Sequence, residues 1–178
     1  AFDEAMKVKC QASLGAKAVE GKFPIVIYHH GSGGTYDDNL LMCEYLASMG
    51  YIVISSSFLH CVRGEVFEDR NWNENVSDLN SILAYTHEMD YADPDRIALM
   101  GHSKGCQIGY AAITGRSSPF KCFIGLDPTW DGQPYNELYE NWGKYNMLDY
   151  IHDNRYRTVT PVLHMASFRK NSGIEKDS

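Results

Sequence analysis

No apolar run in the 178 residues approaches the stretch of about 20 that a bilayer-spanning helix needs, so no transmembrane segment is expected and the chain reads as soluble. Basic residues are scarce: 16 Lys and Arg stand against 23 Asp and Glu, for a net charge of −7, and they form no cluster. Phosphate binding needs grouped cations, which argues against nucleic acid or an anionic membrane as the main partner. The five cysteines, Cys10, Cys43, Cys61, Cys106 and Cys122, show neither C-x-x-C pairing nor metal-ligand spacing, so no metal is expected. Their odd number leaves at least one thiol free unless another chain supplies a partner. Cys106 and Cys122 fall in apolar segments and read as small buried hydrophobes, whereas Cys43 or Cys61 can pair with each other or with Cys10. There is no internal repeat and no low-complexity linker. An initiator methionine is lacking too: the chain begins at Ala1, the mark of a processed form or a fragment, with no signal peptide left to read. With the odd cysteine count, this leaves the compartment open, with a lean toward export.

What is present suits a single domain over residues 1–178, with 44% hydrophobic and 22% charged residues and enough length for an unstapled core. Four runs read as buried strands: Phe23 to Tyr28, Tyr51 to Ser56, Lys121 to Leu126 and Val159 to Ala166. A fifth, Arg96 to Met100, follows the breaker Asp93-Pro94-Asp95. A further short edge strand is placed at Val8 to Leu14. Between the runs, Leu40, Leu41, Tyr45, Leu46 and Met49 follow helical spacing from an N-cap at Thr35 or Asp37, with Gly50 closing the helix. A second helix is expected from about Asn75 to Glu88. Residues 57–72 are irregular and polar, and their scattered aromatics, Phe58 among them, can form part of a pocket wall. Strand and helix alternate, so the fold class is α/β: a mostly parallel sheet with helices on both faces. Ligands of such sheets sit at the carboxyl ends of the strands. Residues 29–34, 101–105 and 127–130 all fall there.

The chemistry centres on Gly101-His102-Ser103-Lys104-Gly105, which fits G-x-S-x-G between a short apolar run and a helical pattern of Ile108, Ala111, Ala112 and Ile113. Strand, sharp turn and helix make the context in which that pattern marks a nucleophile elbow, with the two glycines leaving room for the turn. Ser103 is the candidate nucleophile, at a helix N-terminus that favours developing negative charge. A serine hydroxyl needs an adjacent base, and the oxyanion needs fixed N–H donors. Lys104 offers one backbone N–H, and the glycine-rich His29-His30-Gly31-Ser32-Gly33-Gly34 loop, just past a strand, can offer a second.

GHSKG on strand–turn–helix, HHGSGG after an earlier strand and an aspartate after a later one together resemble the α/β-hydrolase superfamily. Within it, the chain resembles the dienelactone hydrolase and platelet-activating-factor acetylhydrolase-like serine esterases, over about residues 22–166, the third to the seventh of that fold's eight strands. The resemblance implies cofactor- and metal-independent cleavage of a small-molecule carboxylic ester through an acyl-enzyme on Ser103. It implies that the oxyanion is held by the amides of Ser32 and Lys104. It further implies that the triad acid is Asp127, in Gly-Leu-Asp-Pro-Thr-Trp after the sixth strand, since Met165 to Arg169 after the seventh offers no carboxylate; Asp131 is a weaker candidate. An aspartate capping the Pro128 turn is the alternative for Asp127. An amidase, peptidase or acyltransferase would share these residues, and a non-catalytic binding module would share the fold.

The departure is the histidine, which the family places after an eighth strand that this chain does not reach. None of the seven histidines lies in the expected place, and His152 is the one candidate within the chain. Either the C-terminal strand, helix and histidine of a complete enzyme are missing, or the base has been lost; the first also accounts for the missing cover of the sheet. Residues 129–153, rich in Trp and Tyr, occupy a cap-like position and read either as a lid over an apolar pocket or as a helix packed on the sheet. Lys104 is either a solvated charge or a group that favours acidic substrates.

Overall fold

The structure, a computed structural model, describes residues 11–58, 63–64, 72–114, 117–127 and 158–165. Strands β1 (Phe23–His29), β2 (Ile52–Ser55), β3 (Ala92–His102), β4 (Phe120–Leu126) and β5 (Val162–Met165) form one sheet in the order β2-β1-β3-β4-β5. All four pairings are parallel. Helices α1 (Leu40–Ser48), α2 (Trp72–Thr86) and α3 (Lys104–Ile113) fill the crossovers from β1 to β2, β2 to β3 and β3 to β4.

The strands alternate between two cores, as a pleated sheet covered on both faces must. Ile25, Ile27, Ile97 and Leu99 pack with Leu79 of α2 and Ile108 and Ile113 of α3. On the opposite face, Val26, Tyr28 and Met100 pack with Cys43, Met42 and Leu46 of α1. Burial drives the Tyr28 phenol up to about 12, and its hydroxyl accepts a hydrogen bond from the Asn39 side-chain amide.

Several boundaries differ from the sequence expectation. Helix α1 starts from Asn39 in the left-handed conformation, φ 56°, rather than from a Thr35 or Asp37 cap. Thr35 Oγ1 is bonded instead to Asp37, and the Arg63 guanidinium donates to both. Leu41, Tyr45 and Met49 face outward, because Cys43, with Met42 and Leu46, takes the inner side. The helix does close as expected at Gly50, φ 90°: the Gly50 N–H bonds Ala47 and the Tyr51 N–H bonds Leu46, a Schellman pair. Helix α2 begins at Trp72 and ends at Thr86. β3 begins at Ala92, ahead of the Asp93-Pro94-Asp95 breaker, because the segment bulges: the six residues Ala92 to Ile97 run alongside only three of β1, Phe23 to Ile25. A bulge is where a sheet tolerates proline. Residues 11–14 form no strand, and Leu14 is fully exposed; the rest of the edge strand placed at Val8 to Leu14 lies outside the described residues. Phe58 is buried, with its ring stacked on His29 at 3.7 Å. Cys43 and Cys106 are buried thiols and Cys122 is a half-buried one, none of them in a disulfide.

Candidate active site

The chain leaves β1 for β2 on one side and returns to β3 on the other. The carboxyl ends of β1 and β3 therefore flank a topological switch point, where an open α/β sheet leaves a crevice for a ligand. Both glycine-bearing segments fall there. Ser103 is the single residue between β3 and α3, with φ 50° and ψ −114°, a conformation that a residue with a side chain adopts only under constraint.

The constraint is visible in its neighbours. A Cβ on Gly101 would stand 2.5 Å from the Gly105 carbonyl oxygen, and one on Gly105 would stand 2.3 Å from the His29 carbonyl oxygen and 2.6 Å from that of His30. Helix α3 therefore starts in main-chain contact with both β3 and the end of β1, and only glycine fits at either point. The Ser103 N–H is held by the Leu126 carbonyl at 2.9 Å, and the Ser103 carbonyl accepts from Cys106 N–H at 3.0 Å. The Cys106 thiol points inward to the Gly101 carbonyl, in keeping with a structural role.

The loop after β1 comes up against this turn. A Cβ on Gly31 would lie 3.2 Å from Ser103 Cβ and 3.1 Å from His102 Nδ1. Gly31 to Gly34 form a β-turn closed by Gly34 N–H to the Gly31 carbonyl at 3.1 Å, with exposed Ser32 second and Gly33 third at φ 74°. A left-handed third residue is what a type II turn demands. Lys104 is the first residue of α3, so its N–H lies at the positive end of the helix. Its side chain is only 3% exposed, which excludes the solvated surface charge. Asp127 follows β4, whose last residue, Leu126, pairs with His102. Asp127 is exposed, sits at φ 49° and donates its N–H to Met165 of β5 at 2.6 Å. Ser103, Lys104, Asp127 and the Ser32 turn thus share one edge of the sheet.

The described histidines are placed otherwise. His29 and His30 are buried, each with both ring nitrogens at hydrogen-bonding distance from protein groups. Burial lowers the His29 pKa to about 3, so its ring is neutral. His164 Nε2 meets the Tyr110 hydroxyl at 3.0 Å. His87 follows the end of α2 and so lies at the amino edge of the sheet, away from Ser103. His102 packs its buried Nδ1 toward Gly31, with no hydrogen-bond partner for that atom among the described residues. His60, His152, Asp131 and the stretch 129–153 lie outside the described residues. Sequence reasoning passed over Asn75, which reaches from α2 to His29; a contact between residues 46 apart leaves no trace in local pattern.

Parallel strands, helices on both faces and a strained serine between β3 and α3 define an α/β hydrolase by fold. Solved structures agree: Est1E of Butyrivibrio proteoclasticus, solved with ferulic acid bound, matches with TM-score 0.55 at 19% identity over 80% of this chain and 68% of its own. The α/β hydrolase GrgF of Penicillium sp. sh18 matches with TM-score 0.52 at 16% identity over 67% of this chain and 43% of its own. At these identities the likeness is one of fold. More narrowly, the chain belongs to the chlorophyllase family, whose model matches residues 11–165. The quorum-quenching protein AidA of Acinetobacter baumannii (strain MDR-ZJ06) is 28% identical over 101 residues, which are 55% of this chain and 33% of AidA. The chain thus spans a third of AidA and less than half of GrgF. Among the described residues, no helix is long and apolar enough to cross a membrane.

Proposed function

We propose that this chain carries the nucleophile of a serine hydrolase that cleaves a small-molecule carboxylic ester through an acyl-enzyme. The observation that carries the reading is Ser103 itself: φ 50° at a strand–helix junction, walled by two glycines that admit no Cβ, with Gly31 in contact beside it. Strain of about 1–3 kcal/mol at one residue persists where surrounding structure enforces it, and it concentrates at functional sites.

In this reading a histidine imidazole takes the Ser103 hydroxyl proton as Oγ attacks the ester carbonyl carbon. His152 is the candidate for that base within this sequence, and Asp127 orients it. The carbonyl oxygen becomes an oxyanion held by the N–H groups of Ser32 and Lys104. Collapse expels the alcohol, which takes the proton from the imidazolium, and leaves an acyl-Ser103. Water, deprotonated by the same imidazole, attacks the acyl carbon, and the acid leaves as the serine regains its proton.

The test is turnover of p-nitrophenyl acetate by the full-length protein. Ser103→Ala abolishes turnover with the fold intact, and Asp127→Asn lowers kcat by about 10⁴, as loss of a triad acid does elsewhere. Retained turnover in Ser103→Ala sinks the mechanism.

A further inference from the structure

Two buried histidines stand behind the turn that carries Ser32. Burying an imidazole is costly unless it is hydrogen-bonded, so a pair of them in an apolar sheet calls for a reason. The His29 ring stacks on Phe58, with interplanar angle 10°; its Nδ1 lies 2.9 Å from the His30 carbonyl, and its Nε2 meets the Asn75 side-chain amide at 3.0 Å, so the neutral ring donates through Nδ1 and accepts at Nε2. The His30 ring sits in the turn itself: Nδ1 is 2.7 Å from the Gly31 carbonyl oxygen and Nε2 is 3.1 Å from that of Ser57. Gly34 makes room for it, since a Cβ there would stand 3.0 Å from His30 Nδ1.

The consequence follows from peptide planarity. The Gly31 carbonyl and the Ser32 N–H belong to one trans peptide plane and point in opposite directions. A 2.7 Å contact between a ring nitrogen and a carbonyl oxygen requires a proton on Nδ1, so His30 donates to the Gly31 carbonyl and, with the Gly34 N–H, fixes the direction of that plane. The His29 ring holds the preceding carbonyl in the same way. We propose that His30 is a positioning residue that aims the Ser32 N–H toward the oxyanion beside Ser103, with His29 and Asn75 as its buttress. The proposal rests on the serine-hydrolase reading above.

The experiment compares His30→Ala, His30→Asn and His30→Gln in the full-length protein, with active sites counted by a fluorophosphonate label and p-nitrophenyl acetate as substrate. An Asn amide overlays Nδ1 and restores the donor to Gly31; a Gln amide overlays Nε2 and faces Ser57 instead. The expected result for Ala is a fall in kcat per labelled site of about 100-fold, the size of a lost oxyanion donor, with KM within about threefold. Asn recovers kcat to within about tenfold of wild type, and Gln stays near Ala. Unchanged kcat per labelled site in Ala overturns the proposal. Should Ala not fold, equal kcat for Asn and Gln overturns it. A wild-type protein that takes no label overturns the serine-hydrolase reading and this one with it, whereas a labelled wild type with insensitive His30 variants overturns this one alone.

Discussion

Replacing Gly105 by alanine adds one methyl group where the start of α3 meets the end of β1. That carbon would stand 2.3 Å from the His29 carbonyl oxygen and 2.6 Å from that of His30. Carbon and carbonyl oxygen approach no closer than about 3.3 Å even in favourable contacts, so the two segments must part by about 1 Å. Neither neighbour can yield by rotating a side chain, because both are main chain at the end of a central strand. The cost therefore belongs at the upper end of overpacking, about 3 kcal/mol. For a domain of this size that lowers Tm by roughly 10 °C. The same displacement moves the Ser32 turn away from Ser103, and an error of about 1 Å in catalytic geometry is worth about 100-fold in rate. Thermal unfolding by circular dichroism and kcat per labelled site for p-nitrophenyl acetate measure the two effects. A Gly105→Ala protein that melts and turns over like wild type refutes the claim that α3 and β1 touch through this residue.

Other perturbations separate strain, packing and charge. Ser103→Gly relieves about 1–3 kcal/mol of backbone strain and gives back about 0.5–1 in chain entropy, so urea unfolding should show a more stable but inactive protein; a loss of stability counts against the strained turn. Gly109→Ala pushes a Cβ to 2.3 Å from the Phe123 ring and costs about 1–3 kcal/mol, and Phe123→Leu in that background recovers part of it; additive losses in the double variant refute the contact. His29, neutral when folded with a pKa of about 3, takes a proton in the unfolded chain near its ordinary value of 6.5. The unfolded state therefore binds more protons between those values, and stability falls as pH drops through that window, by at most about 5 kcal/mol from this group. Urea midpoints measured from pH 7 to pH 4 should fall less steeply in His29→Gln; parallel profiles refute a buried neutral His29.

The strands were legible because parallel strands covered on both faces must be apolar throughout, and runs such as Phe23 to Tyr28 admit no other reading. The glycines of the Ser103 turn were legible because a strained junction leaves room for nothing else. Capping was not: Thr35 and Asp37 look like helix caps in sequence, but Arg63, 26 residues beyond Asp37, draws both into a surface cluster. The outward-facing Leu41 and Tyr45 misled for a related reason, since an apolar residue on a helix does not say which of two apolar stripes meets the sheet. Pro94 read as a break, yet a bulge lets β3 run through it. The burial of Lys104 and the Asn75–His29 link depend on contacts between distant parts of the chain, which no local periodicity encodes.

That Ser103 is an activated nucleophile is tested most directly by intact mass of the full-length protein before and after exposure to a fluorophosphonate, followed by peptide mapping. One adduct, mapped to Ser103 and lost in Ser103→Ala, is the expected outcome. No adduct, or an adduct on any other residue, shows that the strained turn does not serve nucleophilic catalysis.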